Sequence, residues 1–503
     1  MPAVARMMFD FDLAARRARL TPERPVLYWR GRWFSYGELD IRARRLAGRL
    51  AERGVTKGDR VSILALNHIA HIDLILAAPK LGFIYAPFNY RLSAAEQGEL
   101  ARYVEPSLLL HDAQHAPIAT ATAAVLQPLA DYENWLAAAP DAPAAPALSA
   151  EDPMMMLFTG GSTGLPKGAV LPYRQIFSNA VNTTWSWNVG GDDCVIQATP
   201  AFHAAINVLA TPLLHTGGRI VLMESFEAGA YLRLLGECGA TLLFMVPSMY
   251  QTLAEHPGFA AADFSSVRWA IAGGAPCPPP IRERYAARGI RFRLGYGLTE
   301  AGVNCFSISE TEAARHPDSV GRPMLYGEAV IRHADGTPVQ ADEIGELTLA
   351  GPHLALGYFR REPDTAASFR DGWLWTGDLA RQDGDGLFYI CGRRKEMYIS
   401  GGENVYPAEI EGLLHTHPAV AECAVLGVPD ARWGETGLAA LALKSGERLS
   451  GSELQAWLRS RLAGYKRPRH ILFLETLPKS GAGKILKPEI RQLYEQQHRA
   501  TGT

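Results

Sequence analysis

The stretch LFTGGSTGLPKGAV, Leu157–Val170, sets four glycines, three hydroxyl-bearing residues and one lysine behind a short apolar run. Glycines let backbone N–H groups turn inward at little steric cost, and a concave run of such donors suits phosphate oxygens. Thr159, Ser162 and Thr163 add hydroxyl donors and Lys167 a positive charge. A solvated Gly/Ser turn is the plain alternative for a glycine loop standing alone, but the preceding apolar run and the lysine favour a phosphate cradle. It is not the common nucleoside-triphosphatase loop, which demands Gly-Lys-Ser/Thr at fixed spacing. Here Lys167 lies between Pro166 and Gly168, and GAGK at Gly481–Lys484 has Pro478 where the first glycine belongs.

Outward from this loop, short apolar runs alternate with amphipathic or turn-rich stretches: RVSILAL, SLLLHD, MMMLF, CVIQA, RIVLM, TLLFMV, RWAIAGG and RFRLGYG, between Arg60 and Gly297. That rhythm predicts an α/β fold with largely parallel sheets and excludes an all-helical one. PDAPAAPALSAEDP, Pro140–Pro153, reads as a surface loop. Beyond Gly321 short alternating segments such as EAVIRHADGTPVQADEIGELTLAGP predict a small β-rich subdomain. The last hundred or so residues reset to a compact α+β pattern, with strands at AECAVLGVP, GLAALALKSG and RHILFLE and helices at GSELQAWLRSRLAG and PEIRQLYEQQHRA. The division expected is a large layered α/β domain with its β-rich subdomain at 1–394 and a small mobile α+β domain at 395–503.

At 503 residues the chain exceeds what one hydrophobic core serves. With 50 basic and 52 acidic residues it carries no electrostatic footprint for nucleic acid. Six scattered cysteines form no metal cluster or disulfide framework and read as buried thiols of a reducing compartment. With no signal peptide and no long apolar span, the cytoplasm is the expected location and no integral membrane segment is expected. A homodimer stays open.

TGGSTGLPKG resembles the phosphate-binding signature of the adenylate-forming superfamily, which includes acyl- and aryl-CoA synthetases, peptide-synthetase adenylation domains and firefly-type luciferases. YGLTE (Tyr296–Glu300), WTGDLA (Trp375–Ala380), GRRKEMYISGGENVYPAEIE (Gly392–Glu411) and PKSGAGKILK (Pro478–Lys487) follow in the family's order. The resemblance spans nearly the whole chain and implies ATP, Mg²⁺ and coenzyme A acting on a small carboxylic acid. It implies that Thr159, Gly160, Gly161, Ser162, Thr163, Gly164 and Lys167 grip the β- and γ-phosphates, that Thr299 meets the α-phosphate, and that Glu300 holds Mg²⁺. Gly274, Ala275 and Pro276 with Tyr296 would border adenine, and Asp378 and Arg393 the ribose. Lys484 resembles the mobile lysine that bridges carboxylate and α-phosphate, and Lys395 occupies the family's hinge position.

For the second half-reaction, Gly401 and Gly402 resemble the strand lining the pantetheine tunnel, and Trp433, Tyr465 and Arg467 the contacts to the CoA nucleotide. No carrier domain follows Lys484, which favours free CoA over a peptide-synthetase module; luciferase-like oxidation stays open but needs a special substrate. Glu227, where amino-acid-activating relatives place an acid, does not discriminate. His203 in TPAFHAAINV resembles the gate between acyl pocket and CoA tunnel, with Ala204, Asn207, Val208 and Gly273 as pocket walls. Small walls favour a medium- or long-chain fatty acid; the alternatives are a cinnamate-, ferulate- or benzoate-type aromatic acid, or a catalytically silent nucleotide- or acyl-binding protein. Intact Glu300, Asp378, Arg393 and Lys484 speak against silence. Lys484→Ala is expected to abolish adenylation, measured as pyrophosphate release, yet to spare CoA transfer to a supplied acyl-adenylate.

Overall fold

The computed structural model describes residues 11–120, 125–160, 166–479 and 485–501. Two seven-stranded sheets carry the larger part of the chain. One runs in the order Gly357–Tyr358, Lys167–Pro172, Pro153–Thr159, Ile84–Tyr85, Arg60–Leu64, Leu108–His111, Leu126–Pro128, parallel from Pro153–Thr159 onward and antiparallel at the other edge. The other runs Phe292–Leu294, Trp269–Ala272, Leu242–Met245, Cys194–Gln197, Arg219–Leu222, Pro25–Trp29, Arg32–Ser35, and only its last pair is antiparallel. All eight strands named from apolar runs are present. CVIQ, LLFM and WAIA are buried at every residue, as parallel strands covered on both faces must be, which is why they read as unbroken apolar runs.

Between the sheets lies one continuous core that takes in strands of both and the helices Tyr36–Glu52, Ile69–Leu81 and Ala210–Thr216. Every one of the thirteen residues of Ile69–Leu81 is buried. Its polar members are therefore paired: Asp73 accepts from Arg42 at 2.8 Å and from Tyr132 at 2.9 Å, and Lys80 bridges Asp12 and Asp40 at 2.8 and 2.6 Å. Helices Ala228–Glu237, Pro247–Glu255 and Pro279–Ala286 cover the outer face of the second sheet, and Ala94–Val104 that of the first. The result is a stack of alternating helical and sheet layers.

The expected β-rich subdomain is a five-stranded antiparallel sheet centred on Gly345–Ala350 and Trp373–Gln382, with Phe388–Arg393 alongside. The C-terminal region builds its own sheet around the long pair Val420–Asp430 and Gly434–Leu443, with His470–Phe473 parallel at its edge, packed by Gly451–Arg459 on one face and Lys487–Thr501 on the other. The Pro/Ala-rich stretch is a strap without regular structure: the Pro140 carbonyl sits on Gly48, and Lys57 donates to Ala147 O at 3.0 Å and pairs with Asp152 at 2.7 Å. The six cysteines are free thiols, five of them buried, and no described helix is long and apolar enough to cross a membrane.

Several histidines are buried where an imidazolium would be desolvated. That pulls His68 and His353 down to about 4 and His71 to about 3. The unfolded chain protonates these rings near pH 6.5 while the native state refuses the proton, so their contribution to stability is complete above pH 6.5 and falls as pH drops toward 4. The urea midpoint should therefore decline between about pH 6.5 and 5, before most carboxylates titrate. A flat midpoint over that window would contradict the burial of these rings.

Candidate active site

The carboxyl ends of parallel strands in the second sheet gather several of the sequence-marked residues, the usual place for a ligand site in an open α/β sheet. Gly273, Gly274, Ala275 and Pro276 follow the strand Trp269–Ala272, and the last three are exposed. Tyr296, Thr299 and Glu300 follow Phe292–Leu294, with Thr299–Ala301 forming a 3₁₀ turn. His203 follows Cys194–Gln197 at the start of the 3₁₀ turn Ala204–Asn207. Lys167 arrives from the other sheet, where Thr159 and Lys167 face each other across an antiparallel pair. A strand, not a helix, thus follows the glycine loop, in keeping with its departure from the triphosphatase pattern. Gly160 is described and exposed; Gly161, Ser162, Thr163 and Gly164 lie outside the described residues, as does Lys484.

The turn that presents Glu300 is tightly wound. A Cβ on Gly297 would overlap the Val303 carbonyl, and Val303 N returns to Leu298 O at 3.0 Å. Gly302 and Val303 both have positive φ, 76° and 77°. For a β-branched residue that is a strained conformation worth about 1–3 kcal/mol, of the sort found at functional sites. Glu300 is 9% exposed, and its Oε1 accepts from Tyr358 Oη at 2.8 Å. The Lys167 ammonium lies 5.2 Å from the centre of the Tyr358 ring and pairs with Asp364. Burial and then the neighbouring Glu300 carboxylate raise the Tyr358 phenol, which keeps it a donor. Among the described residues no cation pairs with Glu300.

A second constellation forms around Asp378, 3% exposed. Tyr296 Oη donates to its Oδ2 at 2.6 Å, and Arg393 Nε contacts Oδ1 at 2.6 Å across the strand pair that sets Asp378 opposite Arg393. Burial, then Asp378, pushes the Tyr296 phenol well up, so it too stays protonated. The Tyr296 ring meets Phe306 edge-on at 5.8 Å.

The acyl-side residues are mixed in character. His203 is half-buried with its ring 4.6 Å from Phe202. Ala204 and Val208 are buried in the inter-sheet core. Asn207 is 1% exposed, accepts from Thr211 at 3.1 Å and lies 3.7 Å from the Met155 sulfur, so its amide is fixed. Gly273 lies on the Phe244 ring, at 3.5 Å from where its Cβ would be. Glu227 is a helix cap, accepting from Gly229 N and Ala230 N.

In the C-terminal region Lys395 is exposed in the 3₁₀ turn Arg394–Glu396, directly after Arg393. Lys487 braces this segment by pairing with Glu396 at 2.6 Å and Glu411 at 2.9 Å. Gly401 N donates to Trp433 O at 2.9 Å, and its φ of 62° lets the indole lie flat where any side chain would collide. Gly402 is exposed beside it. Arg432 and Arg469 stack on Trp433 at 5.1 and 4.8 Å. Tyr465 and Arg467 are half-buried on the neighbouring 3₁₀ turn, where Lys466 pairs with Glu409 at 2.7 Å.

Sequence reasoning missed Tyr358, Asp364, Glu346 and Gln175. Glu346 accepts from Gly377 N at 3.0 Å beside Asp378, and Gln175 donates to Thr299 O at 2.9 Å. Tyr358 sits in a two-residue strand, too short for any periodicity to mark.

The family model for AMP-binding enzymes matches residues 14–359, and that for the AMP-binding enzyme C-terminal domain matches 409–484. The chain is 40% identical to a feruloyl-CoA synthase of Amycolatopsis sp over 480 residues, 95% of this chain and 98% of that one. It is 33% identical to a long-chain-fatty-acid–CoA ligase of Mycobacterium tuberculosis over 471 residues, 92% and 93% of the two chains. The o-succinylbenzoate CoA synthetase of Bacillus subtilis, solved with its acyl-adenylate intermediate, has a TM-score of 0.88 at 30% identity, covering 95% and 97%; the same enzyme is solved with ATP and a magnesium ion.

Tyr296→Phe keeps the ring but removes a short hydrogen bond to the buried Asp378. Urea denaturation should show a loss of about 1–3 kcal/mol, and an unchanged midpoint would mean that the hydroxyl carries nothing.

Proposed function

Because this chain belongs to the AMP-binding enzyme family, we propose that it joins an aromatic, hydroxycinnamate-type carboxylic acid to coenzyme A. The enzyme is an AMP-forming acid–CoA ligase that uses ATP, Mg²⁺ and CoA. A carboxylate resists nucleophilic attack because of its charge and its poor leaving group. Attack of its oxygen on the α-phosphate of ATP expels pyrophosphate and makes AMP the leaving group; the CoA thiol then displaces AMP. The protein must hold the reactants in line and offset the charge that develops.

The residues fit that task. Glu300 is a hard oxygen donor, nine-tenths buried, with a hydroxyl donor but no cationic partner among the described residues, a situation that favours a bound cation. Mg²⁺ there would neutralise phosphate charge. In this reading Lys167 and the loop it closes hold the β- and γ-phosphates, Thr299 meets the α-phosphate, and Asp378 accepts the ribose hydroxyls beside Arg393. Gly274, Ala275 and Pro276 border the base. Lys484 supplies the transition-state cation. The region 395–503 turns about Lys395 to exchange that lysine for the CoA surface of Gly401, Gly402, Trp433, Tyr465 and Arg467, and His203 gates the acyl side.

The observation that carries the aromatic substrate is the 40% identity to a feruloyl-CoA synthase against 33% to the fatty-acid ligase, at similar coverage. The clamped Asn207 supports it, because a wall held by Thr211 and Met155 offers a bounded, partly polar slot. A fatty acid is the second reading, favoured by a largely apolar cavity of about 320 Å³ that Thr211 shares with Met154, Ile176, Leu214, Arg16 and His215. The deciding experiment measures CoA consumption and AMP formation with ferulate, cinnamate, benzoate, octanoate and palmitate. Ferulate is expected to exceed palmitate in kcat/KM by about tenfold or more. The reverse order would favour the fatty-acid reading, and ADP in place of AMP would reject the reaction class.

A further inference from the structure

The helix Tyr173–Ser186 begins directly at the end of the strand Lys167–Pro172, so no loop separates it from Lys167. Its buried face should carry an apolar stripe, as a core-facing helix does. Beside the buried Tyr173, Ile176 and Ala180 it carries Gln175, Asn179, Asn182 and Thr183, all four at most 1% exposed. Four-residue spacing puts Gln175, Asn179 and Thr183 one above another. These side chains engage three connections, Gln175 and Thr183 both reaching the one between Leu294 and Phe306. Gln175 Nε2 donates to Thr299 O at 2.9 Å, and Asn179 Nδ2 donates to Asn207 O at 2.7 Å. Asn182 Oδ1 accepts from Tyr326 N at 2.9 Å. Thr183 Oγ1 accepts at 2.7 Å from Asn304, which also donates to Val208 O at 2.8 Å.

Buried amides are costly unless bonded, and leucine or methionine would fill the same space without that demand. What amides add is direction. The turns Ala204–Asn207 and Thr299–Ala301 lie beyond the strand ends; Ala355 N donates to Glu300 O at 2.8 Å, and the rest of their height is set by side chains. We infer that Gln175 and Asn179 are positioning residues: from a helix rigidly continuous with Lys167, Gln175 sets the height of the turn bearing Glu300, and Asn179 that of the acyl wall at Asn207. This rests on the ligase reading above. It makes the phosphate grip, the metal carboxylate and the acid pocket parts of one rigid frame, with the two adjustable distances controlled by separate side chains one helical turn apart.

The test is steady-state pyrophosphate release by the full-length enzyme with ferulate, or with whichever acid the screen favours, for the wild type, Gln175→Met and Asn179→Leu, each also followed by thermal melting. Gln175→Met should raise KM for Mg²⁺-ATP by about tenfold while KM for the acid stays within about twofold; Asn179→Leu should do the opposite. A general loss of packing would move both constants together or lower only the melting temperature, and either result overturns the inference. If an apolar variant does not melt cooperatively, Gln175→Ala or Asn179→Ser is measured in its place under the same criterion. A wild-type enzyme that releases no pyrophosphate with any acid overturns the ligase reading itself, whereas an active wild type with unshifted variants overturns only the positioning roles.

Discussion

A carboxylate nine-tenths buried with a tyrosine hydroxyl as its hydrogen-bond donor, and no cation beside it among the described residues, is the constraint around which this site is organised. Removing such a group from water is unfavourable. The surrounding chain adds strain at Val303, a β-branched residue with positive φ, whose carbonyl comes so near Gly297 that any side chain there would collide. Folding alone gains nothing from this arrangement, since a wider turn with an exposed glutamate would be more comfortable. The arrangement becomes sensible when a divalent cation supplies the missing charge. Under the proposed function, stability would be given up for a site whose charge pattern is set before the nucleotide arrives.

The two sheets are what make the arrangement rigid. Glu300 belongs to the end of one sheet, Lys167 and Tyr358 to the antiparallel edge of the other, and the Tyr358 hydroxyl joins them. Displacement of one sheet against the other would break that bond and separate Lys167 from Glu300. The fully buried helix Ile69–Leu81, with Asp73 and Lys80 each bonded on two sides, resists such sliding from the far side of the core. The Asp378 constellation extends the frame to the β-rich sheet, and the chain reaches Lys395 only two residues after Arg393, so a change of angle at Lys395 would leave the Asp378 pair in place.

Parallel strands buried on both faces announce themselves as apolar runs, and all eight that the sequence marks are strands in the structure. Strands without that signature stayed hidden. Ile84–Tyr85 and Gly357–Tyr358 are two residues long, and Pro25–Trp29 with Arg32–Ser35 form an edge hairpin outside the α/β rhythm. In the site, residues within contiguous motifs were legible, because their spacing encodes the turn that displays them. Tyr358, Asp364, Glu346 and Gln175 were not: each acts through a contact across tens or hundreds of residues, and a tyrosine or glutamine at such a position looks like any other core or surface residue. Glu227 shows the converse, an acid in a suggestive place whose observed work is capping a helix.

The acyl pocket illustrates why small residues alone do not define a substrate. Ala204, Val208 and Gly273 suggest room, yet Ala204 and Val208 are spent on the inter-sheet core and Gly273 abuts Phe244. The space they leave depends on Asn207, whose backbone is held by Asn179 and whose side chain is held by Thr211. Thr211 also lines a cavity of about 320 Å³ that it shares with Met154, Ile176, Leu214 and Arg16. An aliphatic tail that displaced the Asn207–Thr211 bond would leave two buried polar groups unpaired, a penalty of about 1–3 kcal/mol for each. A flat aromatic acid that stops at the wall incurs no such penalty. If the acyl chain of the proposed reaction were to run past Asn207, the transfer of methylenes, about 0.8 kcal/mol each, would have to exceed the loss of that bond. Against about 2–6 kcal/mol for the two stranded groups, roughly three to eight methylenes must pass the wall before an alkyl chain competes.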